Sequence, residues 1–161
     1  MPGLFKRTEE LFPERSLRQI LPSRRPVVAV APTDPVARAL ALMAEHDIGV
    51  VVVLDGERLA GILSERDLAR HAGRAPDSAL RDLRVSELMT RDVATVDADA
   101  QFRQCMVLMD ARGARHLPVV ENGRVIAVVS LRDLLHEAVT HQQHVLAEVD
   151  RERLAAFQST A

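Results

Sequence analysis

Gly61-Ile62-Leu63-Ser64-Glu65-Arg66-Asp67 returns 66 residues later as Ala127-Val128-Val129-Ser130-Leu131-Arg132-Asp133, and this agreement decides how the chain is built. In each version an apolar run ends on a serine, and an aspartate stands three residues on. Working outward, Val27 to Arg70 aligns without gaps onto Val93 to His136 at the same offset. The pairs Leu42/Leu108, Met43/Met109, Val53/Val119 and Arg58/Arg124 are identical, as are Ser64/Ser130, Asp67/Asp133 and Leu68/Leu134. A chance likeness between two helices would not hold register through two helices and three strands.

Each copy reads β-α-β-β-α. Val27–Val30 and Val93–Val96 are short β-branched runs. Thr33 or Asp34 in the first copy, and Asp99 in the second, are placed to cap the following helix, with Pro35 in its first turn. Apolar residues then recur at helical spacing, at Val36, Ala39, Leu40 and Met43, mirrored by Phe102, Cys105, Met106 and Met109. Val50–Leu54 and Leu117–Val120 are apolar strands; Asp55-Gly56 and Asn122-Gly123 turn the chain into partner strands Leu59–Leu63 and Val125–Val129. A second helix opens at Ser64 or Ser130. Leu17–Leu21 and Val85–Met89 look like short lead-in helices, one to each copy. The expected organisation is an extension at 1–15, a repeat at 16–72, a linker at 73–84, a repeat at 85–137 and a helical tail at 138–161. In that tail the periodic stretch from Asp133 to about Phe157 outlasts the repeat.

Composition narrows the functions available. Hydrophobic residues at 47% and charged ones at 27% fit a folded protein able to bury a core. A net charge of -2 gives no global field for nucleic acid or anionic membrane, and 2% aromatics supplies no base-stacking platform. Nucleic acid and membrane are therefore not expected partners. The single cysteine, Cys105, excludes an internal disulfide framework and fits a cytoplasmic location. It falls on an apolar stripe with Phe102 and Met109, as a structural thiol does. His136, His141 and His144 lie on the tail helix without a further ligand at zinc spacing. No nucleophile elbow or long Gly-rich phosphate loop is present, so no catalytic residue and no metal site are assigned.

Ser64-x-x-Asp67 and Ser130-x-x-Asp133 admit two readings from spacing alone. One is a capping box, in which serine and acid satisfy each other's backbone N–H at a helix start, contributing about 0.5–2 kcal/mol. The other is a ligand grip. Arg115-His116 equally reads as two polar residues on the turn before a buried strand, or as a cationic contact.

The repeat resembles the CBS domain, and two copies resemble the CBS pair, or Bateman module. Gly61 through Asp67 matches the family's Gly-x-x-Ser/Thr-x-x-Asp, and Ala127 through Asp133 keeps Ser and Asp but has lost the Gly. Arg115-His-Leu-Pro-Val119 and Val85–Thr90 also fit. The resemblance covers about residues 16–137 and is nearest to stand-alone bacterial two-repeat proteins. It implies an α+β fold of two β-α-β-β-α repeats packed by pseudo-two-fold symmetry, here with an extended C-terminal helix, and with two clefts between the repeats. It implies a homodimer with an unknown protein target, and a regulatory adenine nucleotide, AMP before ADP, ATP or NAD. By this resemblance Asp67 accepts hydrogen bonds from the ribose diol, Ser64 lies near ribose and phosphate, and Gly61 lets the backbone approach. Arg115 and His116 reach the phosphate from across the cleft, and Val28, Ile48 and Val50 flank the adenine. Ser130 and Asp133 would form a weaker second cleft facing Gly49 and Val50, with Arg24 and Arg25 as candidate cations. Arg66 and Arg132 are expected to pair with local carboxylates. The alternative is a scaffold with vestigial sites.

Overall fold

Four consecutive valines, Val50–Val53, are all buried, which is possible only for a strand covered on both faces. In the computed structural model, which describes residues 12–21, 26–75 and 79–159, they begin β2 (Val50–Asp55). This strand lies between β1 (Ala29–Val30), parallel to it, and β3 (Arg58–Ser64), antiparallel. The second copy repeats the sheet with β4 (Val96–Asp97), β5 (His116–Glu121) and β6 (Arg124–Ser130). Both hairpins turn as their sequences require: Gly56, Asn122 and Gly123 all have positive φ.

Helices complete each copy. Those of the first are α2 (Val36–His46) and α3 (Glu65–Arg74); those of the second are α5 (Phe102–Arg112) and α6 (Leu131–Ser159). Each sheet and its helices enclose one apolar cluster, the first around Val51, Val53 and Leu63, the second around Phe102, Leu117 and Leu134. β3 packs beside β6, so the two sheets meet along equivalent strands. The tail is one continuous helix of 29 residues, about 43 Å long.

The lead-in helices depart from expectation. α1 (Leu17–Ile20) does not serve the copy that follows it: Leu17 is fully buried in the second core. α4 (Val85–Leu88) in turn buries Val85 in the first core. The two segments are exchanged. The exchange also corrects the caps. The first N–H of α2, from Val36, donates to the Leu83 carbonyl at 2.8 Å, and that of α5, from Phe102, to the Arg15 carbonyl at 2.9 Å. Pro35 and Gln101 are the cap residues. Asp34 instead accepts from the Ala31 N–H at 2.8 Å, while Asp99 pairs with Arg18 at 2.9 Å. An orphan donor already satisfied by another segment's backbone needs no side-chain cap. The first strand of each copy is also shorter than expected; Val27, Val93 and Ala94 line the space between the copies instead.

Candidate functional site

Ser64 and Ser130 each end a strand and start a helix, and the same four groups meet at both places. In the first, Asp67 Oδ2 accepts from the Ser64 N–H at 2.9 Å and from the Ser64 hydroxyl at 2.6 Å. In the second, Asp133 Oδ2 accepts from Ser130 at the same two distances. The capping box is thus present in both copies. It leaves a ligand role open, because a carboxylate has about four lone-pair positions. Thr90, not among the expected site residues, donates its hydroxyl to Asp67 Oδ1 at 3.3 Å. Only its place beside β3, bridging to Ile62, gives it that role.

These helix starts border a groove of about 1680 Å³ between the two copies. Ser64, Asp67, Ser130 and Asp133 line it, with Arg115 and His116. Val28, Ile48 and Val50 supply apolar wall. Both Ser-Asp pairs, one for each expected cleft, open onto this groove. Arg66 Nη1 donates to the Gly113 carbonyl at 3.1 Å, bringing the first turn of α3 to the turn that leads to Arg115. Arg66 was expected to pair with a local carboxylate; a backbone carbonyl of the opposite copy is its partner. Arg132 also lines the groove. Arg24 and Arg25 lie outside the described residues, as do residues 1–11 of the extension and 76–78 of the linker.

Among the described site residues, Gly61 alone does not line the groove. A Cβ there would stand 2.5 Å from the Thr90 carbonyl oxygen, so the glycine admits the exchanged segment and not a ligand. Ala127 holds the equivalent position in the second copy.

His116 is the cross-strand neighbour of Ser130. Burial is the main cause holding its imidazole below the usual histidine value, followed by the Arg115 charge; Asp133 opposes this, Arg66 adds to it and Glu65 opposes it. A base whose folded value is depressed contributes stability above its unfolded value, about 6.5, and that contribution is lost as pH falls toward the folded value. Urea unfolding of the ligand-free protein from pH 7.5 to 5.5 should therefore show falling stability, with a shallower slope in His116→Gln. Unchanged slopes would exclude His116 as the source. Cys105 is buried, and burial pushes its thiol up to about 11, so it is an inert core group. Among the described residues no three His, Cys, Asp or Glu side chains converge as metal ligands, and no helix is long and apolar enough to cross a membrane.

The CBS-domain family profile matches residues 17–74 and 85–140. An uncharacterized 17.7 kDa protein of Acidianus ambivalens is 38% identical over 111 residues, covering 67% of this chain and 65% of that protein. The chain therefore spans just under two thirds of that relative. A CBS-domain crystal structure is 38% identical, with a TM-score of 0.73, covering 78% of this chain and 98% of that one. A CBS-domain pair in complex with 5′-methylthioadenosine and S-adenosyl-L-methionine shares the fold, with a TM-score of 0.68 at 22% identity over 77% of this chain and 95% of that one.

Proposed function

The chain belongs to the CBS-domain family as a tandem pair, and on that premise we propose that its groove is a regulatory site for an adenosine-containing ligand. The observation that carries this reading is the convergence on one groove of Asp67, the Arg115-His116 pair and the apolar wall of Val28 and Ile48. A vicinal diol offers two donors and a carboxylate offers acceptors; a phosphate matches a guanidinium. AMP is the first candidate, with ADP, ATP and NAD behind it, and the Asp67 side is the stronger of the two positions. The complex of a related CBS-domain pair with 5′-methylthioadenosine and S-adenosyl-L-methionine supports the ligand class.

The protein signals and does not catalyse. A ligand that touches both copies favours one arrangement of the halves, and that shift is the output. The module works as a cytoplasmic homodimer. The large apolar residues that are exposed among the described ones all lie outside residues 26–75; they include Val107 on α5 and Leu146 and Leu154 on α6. Those faces suit a second copy. A protein target is the remaining partner of this reading.

A thermal-shift screen with AMP, ADP, ATP, NAD and S-adenosylmethionine tests it. A ligand at a hundred times its dissociation constant adds about 2.7 kcal/mol of apparent stability. Ribose 5-phosphate, lacking adenine, should shift far less. No shift with any adenosine compound would overturn the reading in favour of a scaffold.

A further inference from the structure

Glu65 is the first residue of α3, and it lines the groove between the two Ser-Asp turns. Its carboxylate lies over Gly49, where a Cβ would stand 3.1 Å from Oε2. The two helix starts are anchored alike. The Glu65 N–H donates to the Gly49 carbonyl at 3.0 Å, and the Leu131 N–H to the Arg115 carbonyl at 2.8 Å. Backbone symmetry is kept while the charges are reversed: one copy sets glutamate beside glycine, the other leucine beside arginine. Glu65 also lies within electrostatic reach of His116, whose imidazole its charge favours protonating. A ligand phosphate beside Arg115 would thus share the guanidinium charge with the Glu65 carboxylate.

With Glu65 counted, the described lining residues balance positive and negative side chains, histidines apart. Five arginines and five carboxylates line the groove among the described residues. Arg112 is paired with Asp92 at 3.3 Å, and Arg66 spends a donor on Gly113. A nucleoside triphosphate brings about four negative charges to such a site. A monophosphate brings about two, in line with the charge of a phosphomonoester, and a thioether or sulfonium adenosine brings none.

We propose that Glu65 sets a charge limit on the groove, so that it selects adenosine derivatives of low net negative charge over nucleoside di- and triphosphates. This rests on the reading of the groove as an adenosine site. Leu131, at the equivalent position, carries no charge.

Isothermal titration of the wild-type chain and Glu65→Gln with 5′-methylthioadenosine, AMP, ADP and ATP, without divalent cations, tests the proposal. Wild-type affinity should fall from AMP through ADP to ATP. Glu65→Gln should raise ATP affinity about tenfold at low salt, as removal of one charge at close range implies, and leave 5′-methylthioadenosine within about twofold. Glu65→Leu, which copies the second repeat, should behave the same way. Glu65 is exposed, so both variants should keep the wild-type melting profile. Equal changes for charged and uncharged ligands, or wild-type affinity that rises from AMP to ATP, would overturn the charge limit while leaving the adenosine site standing. Absence of binding by all four ligands to every variant would bring down the adenosine reading, and the charge limit with it.

Discussion

Asp67→Ala is expected to remove the stabilisation that an adenosine ligand confers, lowering affinity by two to four orders of magnitude. The expectation follows from two hydrogen bonds between a carboxylate and the ribose diol, each contributing roughly 1.5–3 kcal/mol. The same substitution breaks the cap on α3, because Asp67 holds the Ser64 N–H and hydroxyl. That loss costs about 0.5–2 kcal/mol of stability without ligand. Two comparisons separate the effects. Asp67→Asn keeps a carbonyl oxygen for the cap and should lose binding with little loss of stability. Asp133→Ala removes the matching cap on α6 and should keep most of the affinity. Titration calorimetry beside urea unfolding reads both quantities. Equal affinity losses at Asp67 and Asp133 would sink the asymmetry, and intact binding in Asp67→Ala would sink the diol grip.

Leu17→Ala is expected to cost about 2–5 kcal/mol of global stability, the range for emptying a buried leucine site. Leu17 opens the first repeat in sequence, yet it is fully buried against the core that holds Phe102, Leu117 and Leu134. Its N–H donates to the Ala100 carbonyl at 2.9 Å, so the side chain cannot withdraw without loosening the backbone pairing as well. Leu146→Ala, at a position 64% exposed, is the control and should change stability by no more than about 0.5 kcal/mol. Urea denaturation followed by circular dichroism measures both. A loss below about 1 kcal/mol for Leu17→Ala would mean that α1 is not part of the second core.

The repeat was legible because identical residues recur at a fixed offset, and the strands because Val50–Val53 and the Asp55-Gly56 turn carry local instructions. The caps were misread because Asp34 and Asp99 are good local candidates, while the donors they would satisfy are taken by Leu83 and Arg15 from distant sequence. The same blindness hid the exchange of α1 and α4. An apolar tetrapeptide announces that it will be buried, not against which of two similar cores. Gly61 shows the limit from the other side. A glycine in a strand signals close approach by something, and the sequence does not say that the visitor is Thr90. At the groove, the Ser-Asp turns and Arg115-His116 stood out through the family resemblance. Glu65 and Thr90 did not, since neither belongs to the recurring pattern.

The trade of α1 for α4 makes the tandem chain equivalent to two single-repeat molecules that have swapped arms and then been tied together by a short peptide. In separate molecules such a swap would dissolve on dilution. Within one chain each half holds the other by an internal tether, at an effective concentration set by the linker and independent of how much protein the cell makes. The halves therefore stay joined at any protein concentration, so the groove between them persists on dilution.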